Sequence, residues 1–134
     1  LKIRNPNHIR PWQHVIEPLV GYLMLAERQY KTNKNTIHAW NFGPYYKNLK
    51  KVDYILKTMN SLKKFNFKIV KKVKKKESKI LKLNSLKAQK ILKWKPKWNL
   101  ERTLQYIFDW NKNFRNGKSA KQACEDQILI YLNK

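Results

Sequence analysis

Two Tyr-x-x-x-Lys pairs carry the spacing most suggestive of chemistry: Tyr30 with Lys34, and Tyr46 with Lys50. On a helix that spacing sets a phenol and an ammonium one turn apart, and the ammonium lowers the phenol pKa for acid–base work. With 31 Lys+Arg and seven Tyr in the chain, such pairs arise by chance. Tyr46 follows a Gly-Pro loop and Tyr30 falls at a helix end, so both read better as surface or boundary residues. The three histidines, His8, His14 and His38, come without HExxH or Cys/His ligand spacing, and no metal site is expected. Gly21, Gly43 and Gly117 are too far apart to form a Gly-rich phosphate loop of the dinucleotide or P-loop kind. No serine sits on a strand–turn–helix elbow. The residues therefore assign no catalytic, cofactor-binding or metal-binding position.

Arg10 is the stronger candidate. It precedes Pro11 and Trp12, whose rigid bodies limit its wander, and a planar guanidinium suits the oxygens of a diphosphate. An ordinary surface arginine, or an ion pair with Glu17, explains it equally well. Trp12 reads as core more readily than as a nucleotide platform. Asn41, before Phe42-Gly43, can read a sugar or base edge or satisfy a loop backbone.

The elements that must position these residues follow from periodicity. Residues 1–4 read as a strand end, Asn5-Pro6-Asn7 as a turn, and 9–15 as an extended segment bent at Pro11. A helix is expected over 17–31, with Leu19, Tyr22, Leu23, Leu25, Ala26 and Tyr30 inward and Pro18 in its first turn. A polar loop, 30–36, leads to a buried strand over 37–42. A second helix is expected over 50–64, a strand over 65–73 and an extended piece over 80–83. A short helix, 86–93, would be capped by Ser85. Asn99 is a good N-cap for a helix over 100–115 with Leu100, Leu104, Ile107, Phe108 and Phe114 inward, and Gly117 ends it. Ser119 caps a last helix carrying Ala123, Ile128, Leu129 and Leu132. Cys124 reads as a small core or boundary residue. The fold class is α+β, helix-rich with short strands. No internal repeat or long linker divides residues 1–134.

At 134 residues and 42% hydrophobic, the chain has enough core formers to fold despite its net charge of +23. That charge raises a polyanion- or nucleic-acid-binding module as an alternative function, with the run Lys71-Lys72-Val73-Lys74-Lys75-Lys76 as its driver. The cations are mostly Lys rather than base-reading Arg, and they are spread along the chain, which favours compositional drift. Non-specific polyanion binding at low salt is expected either way. The single cysteine forms no internal disulfide and fits a reducing cytoplasm, the expected location. No signal peptide or transmembrane-length run is visible, so no membrane partner is expected. The chain starts at Leu1, without Met and inside a strand-like stretch, which suggests a fragment or processed product.

Arg4 to Val15, continued through Glu17-Pro18-Leu19-Val20-Gly21-Tyr22-Leu23-Met24-Leu25-Ala26-Glu27, resembles the segment leading into the substrate lobe of CDP-glucose 4,6-dehydratases. Ala39-Trp40-Asn41-Phe42-Gly43-Pro44 is similar to that family's next strand. Leu81-Lys82-Leu83-Asn84, the stretch ending Lys93-Trp94-Lys95-Pro96-Lys97-Trp98, and Leu100 to Trp110 resemble its closing region. The resemblance implies the helix-rich C-terminal substrate-binding lobe of an extended short-chain dehydrogenase/reductase, with the N-terminal dinucleotide-binding domain absent and the Rossmann core mostly missing. It implies NAD-dependent conversion of CDP-glucose to CDP-4-keto-6-deoxyglucose by the intact enzyme, a lyase of nucleotide-sugar and polysaccharide biosynthesis. For this chain alone it implies no NAD site and no activity. The implied partners are CDP-glucose or a related sugar nucleotide, the missing Rossmann half and a family-type homodimer. It also implies that Arg10 holds the diphosphate, with Trp12, Gln13, His14 and Asn41 on the nucleotide side. Around 72–78 the family's Pro-His-Glu loop motif survives only as Glu77. An acidic residue expected after Leu83 is Asn84, and the segment 45–79 has drifted.

Overall fold

The computed structural model describes residues 1–32, 39–70 and 77–133. The Lys71–Lys76 run, His38 and Lys34 lie outside the described residues, as do parts of the strands expected over 37–42 and 65–73. The elements run β1 (Lys2–Ile3), β2 (Ile9–Pro11), α1 (Ile16–Thr32), β3 (Leu49–Lys51), α2 (Val52–Leu62), β4 (Lys68–Ile69), α3 (Leu100–Arg115) and α4 (Ala120–Leu132). A 3-10 turn, Tyr46–Asn48, precedes β3, and a π-type turn, Ala88–Leu92, precedes the aromatic connector to α3. The mixture is α+β, with two small two-stranded sheets.

β2 organises the first third. It pairs antiparallel with β3, setting Arg10 opposite Lys50. On its other side Ile9 bridges Ile80 through Ile9 N–H to the Lys79 carbonyl at 2.9 Å and Leu81 N–H to the Ile9 carbonyl at 3.1 Å. Pro11 closes the ladder because it has no amide to donate. β1 pairs parallel with β4, Lys2 opposite Lys68.

Local capping chemistry decides the later helix starts. Asn99 Oδ1 accepts from Arg102 N–H at 2.8 Å, and Ser119 Oγ accepts from Gln122 N–H at 3.2 Å. α3 stops at Arg115, and Gly117 turns the chain away with a φ of +92° that a side chain would strain. The turn at 86–93 departs from expectation. The Ser85 carbonyl accepts from Gln89 N–H at 3.0 Å, and it is Asn84 Oδ1 that accepts from Leu86 N–H, also at 3.0 Å. The Ser85 hydroxyl is committed elsewhere, accepting from Gly43 N–H at 2.7 Å and so tying the 39–44 segment to the turn.

Three apolar clusters form the core. Phe42, Ala88, Leu92 and Trp94 pack with Val20, Met24 and Leu25 of α1. Ile16, Trp98 and Tyr131 make a second cluster, and Ile55, Leu100 and Leu104 a third with Trp12 and Met59. Phe42 lies so close over α1 that a Cβ on Gly21 would sit 2.3 Å from its ring, and only glycine allows that approach. Residues 39–42 form no strand. They are held by side-chain contacts instead of a ladder. The inward faces also differ from expectation. Leu19, Tyr22, Leu23 and Tyr30 of α1 are exposed, and α1 buries Ile16, Glu17 and Gly21. α4 buries Ala123, Gln127 and Tyr131, and leaves Ile128, Leu129 and Leu132 outside. Among the described residues, no helix is long and apolar enough to cross a membrane.

Candidate functional site

Arg10 extends from β2 with 24% of its side chain exposed. Its Nη1 donates to the Ile9 carbonyl at 2.9 Å and the Ser78 carbonyl at 3.0 Å, and its Nη2 approaches His8 Nδ1 at 3.1 Å. Arginine has no acceptor, so His8 Nδ1 is the acceptor in this contact. The guanidinium is thereby fixed from behind. Its open side meets Glu77 Oε2 at 3.5 Å. The ion pair considered with Glu17 does not form, because Glu17 is spent in the core.

Glu77 gathers other donors. Arg4 Nη2 lies 3.3 Å from its Oε1, Asn5 Nδ2 donates to Oε2 at 3.2 Å, and His8 Nδ1 is 3.8 Å away. The 3.1 Å contact to Arg10 outranks that last one, since Nδ1 cannot accept from Arg10 and donate to Glu77 at once. A cleft of about 400 Å³ opens beside this cluster, lined by Arg4, Asn5, Pro6, Asn7, His8 and Lys79. Sequence reasoning did not join Arg4 and Asn5 to this cluster. A signal was available: Glu77 is the sole acid between Asp53 and Glu101, so it had to find cations.

The other candidate residues diverge from Arg10. Trp12 donates from Nε1 to the Lys50 carbonyl at 2.9 Å and packs on the Ile55–Leu100–Leu104 cluster. Gln13 Nε2 donates to the Phe42 carbonyl at 2.6 Å, linking β2's end to the segment that carries the exposed Asn41. Its Oε1 is enclosed without a partner among the described residues. His14 is buried and meets Trp98 edge-on at 4.9 Å. Burial lowers its pKa, with a hydrogen bond to Gln127 opposing. It faces an apolar groove of about 370 Å³ between α1, α3 and α4, far in character from the polar cleft lined by Arg4 and His8. Cys124 lines that groove and is exposed, not a core residue; its Sγ accepts from Trp110 Nε1 at 3.3 Å.

Glu17 is fully buried. Its Oε1 accepts from Trp98 N–H at 2.8 Å and Lys97 N–H at 3.0 Å, and its Oε2 from the Tyr131 hydroxyl at 2.8 Å. Trp94 Nε1 donates to the Glu17 carbonyl at 3.0 Å. Burial first, then the bond and charge of Glu17, push the Tyr131 phenol well above its usual range.

Of the two Tyr-x-x-x-Lys pairs only Tyr46 and Lys50 lie among the described residues, and these two side chains do not meet. Tyr46 is exposed on the 3-10 turn while Lys50 lies in β3 over the Tyr54 ring, and the cation over Tyr46 is Lys82. The glycines do not fit a dinucleotide: Gly21 is pressed under Phe42, Gly43 under Leu83, and Gly117 stands alone at a helix end. Among the described residues no group of three His, Cys, Asp or Glu could hold a metal.

No family model matches the chain. A CDP-glucose 4,6-dehydratase from Salmonella typhimurium (strain LT2) is 36% identical over 133 residues, covering 98% of this chain and 37% of that protein. The chain thus spans well under half the length of this curated relative.

Proposed function

We propose that this chain is the sugar-nucleotide-binding portion of a CDP-glucose 4,6-dehydratase, with Arg10 as the ligand of the diphosphate. The observation that carries this is the 36% identity running through nearly the whole chain. Arg10's setting supports it. The guanidinium is positioned by two carbonyls and an imidazole, and its His8 partner lines the neighbouring polar cleft. Fixing a guanidinium before the ligand arrives removes the entropy that a free side chain loses on binding. Gln13 and Asn41, brought near one another by the Gln13–Phe42 bond, would serve the nucleotide end; Trp12 and His14 would act by holding β2's exit in place.

In this reading the chain binds and orients, and hydride chemistry with NAD belongs to the portion of such an enzyme that the alignment leaves uncovered. That portion is also the occupant the reading supplies for the apolar groove and the outward faces of α1 and α4.

Calorimetric titration with CDP-glucose tests the proposal. Saturable binding should be lost, by at least about tenfold, in Arg10→Ala, the magnitude of one lost charge-assisted contact. Binding of any polyanion with a steep salt dependence, and indifference to Arg10, would replace the reading with the basic-module alternative.

A further inference from the structure

The position of the Glu77 carboxylate has the makings of a site for a different occupant. Four side chains converge on it: Arg4, Asn5 and Arg10 as donors, and His8 behind Arg10. The contacts are loose. At 3.2 to 3.5 Å they exceed the roughly 2.7–2.9 Å of a well-made charge-assisted bond. A carboxylate that fitted the cradle would draw its guanidinium partners closer. An anion of larger radius, with tetrahedral oxygens, would shorten all three contacts at once.

Three further features agree. The Glu77 side chain is 33% exposed, so it can swing into solvent. The backbone beyond it stays anchored to β2 through Lys79 and Leu81 when the side chain moves. Lys79 stands on the rim of the adjoining cleft and would add a cation to any ligand that extends beyond the cradle.

We propose that the cradle of Arg4, Asn5 and Arg10 binds a phosphoryl or pyrophosphoryl anion, and that Glu77 is its built-in competitor. The inference rests on the reading of Arg10 as a diphosphate ligand and extends it. Arg4 and Asn5 join the site, and Glu77 sets the affinity by occupying it when ligand is absent. A dianion or trianion displaces a monoanion from two guanidinium groups because it is attracted more strongly at the same distance. The Glu77 contact then acts as a specificity filter, since weaker monoanions such as carboxylates gain nothing by displacing an equivalent group.

The test is calorimetric titration of the full 134-residue chain with inorganic pyrophosphate, CDP and CDP-glucose at about 0.15 M salt, where long-range charge effects are screened. Glu77→Gln removes the competing charge and keeps the shape. It should bind pyrophosphate about tenfold tighter, with CDP and CDP-glucose moving in the same direction, while Arg4→Gln weakens all three about tenfold. Glu125→Gln makes the same charge change on exposed α4 and should alter affinity less than about twofold. If Glu77→Gln binds no tighter than wild type, or if Glu125→Gln gains as much, the inference falls. In that event, CDP-glucose binding that still depends on Arg10 leaves the functional reading standing. Conversely, pyrophosphate tightened by Glu77→Gln with no CDP-glucose binding keeps the anion site and removes the sugar-nucleotide reading. Should Glu77→Gln fail to fold, Arg4→Gln decides: undiminished pyrophosphate affinity there overturns the proposal.

Discussion

Glu17 and Glu77 are both glutamates on which several donors converge, yet they sit in opposite regimes. Glu17 is inside the protein, met by two backbone amides and a phenol that belong to rigid elements. Glu77 is a third exposed, met by side chains at longer range. Backbone donors cannot retreat when their acceptor leaves, whereas arginine side chains can turn to water. The first carboxylate is therefore part of the fold, tying α1 to the 94–98 connector and to α4. The second is replaceable, which is the property a binding site needs.

The largest expected effect is on Glu17. Glu17→Ala leaves the amides of Lys97 and Trp98 and the Tyr131 hydroxyl without an acceptor in a buried place. The expected loss is about 3–5 kcal/mol, read as a fall in the urea midpoint at unchanged slope. A loss below about 1 kcal/mol would break the contrast, because it would mean water reaches those donors.

Around Glu17, pH sharpens the same contrast. His14, edge-on to Trp98, has a folded pKa below its unfolded value of about 6.5. Below that value the unfolded chain takes a proton that the folded chain resists, so stability falls as pH drops toward the folded pKa. Tyr131 is raised above the usual phenol value of about 10, so its contribution is full below that pH and is lost as pH rises further. The expected profile is a plateau between about pH 6.5 and 10 with a decline on each side. Each group contributes at most ~1.4 kcal/mol per pH unit. Midpoints measured across pH should lose part of the acid decline in His14→Gln and the alkaline decline in Tyr131→Phe. Unchanged flanks would mean that neither ring is closed to water.

What the sequence made legible is what is local. Asn99, Ser119 and Gly117 punctuate α3 and α4 as expected, because a cap is settled within four residues. The faces were not legible. α1 carries apolar residues on two sides, and periodicity cannot say which side is inward when an acid such as Glu17 is the residue that is buried. The inward set expected from Leu19, Tyr22, Leu23 and Tyr30 was the reasonable hydropathy choice and lies outside, because long-range donors, not hydropathy, draw Glu17 in. The same limit applies to Arg10. Its rigid Pro-Trp neighbourhood was visible, but its acid is Glu77, 67 residues away, and not the nearby Glu17. The setting of Arg10 in β2 could be read from type and flank. That of Arg4 and Asn5 could not, since only the return of the chain at 77–80 against β2 gives them a common target.

The smallest expected effect closes the comparison from the other side. Glu77→Gln should change folding stability by less than about 1 kcal/mol, the range of partly exposed ion pairs. The amide can still accept from Asn5 or Arg4, and Arg10 retains the Ile9 and Ser78 carbonyls and His8. Removing this negative charge from a chain at +23 adds a small repulsive cost of its own, which salt should reduce. A loss approaching that of Glu17→Ala, insensitive to salt, would put both glutamates in one class. The Glu77 cradle would then be a structural clasp between β2 and residues 77–80, and an anion would have to unfold that clasp to enter.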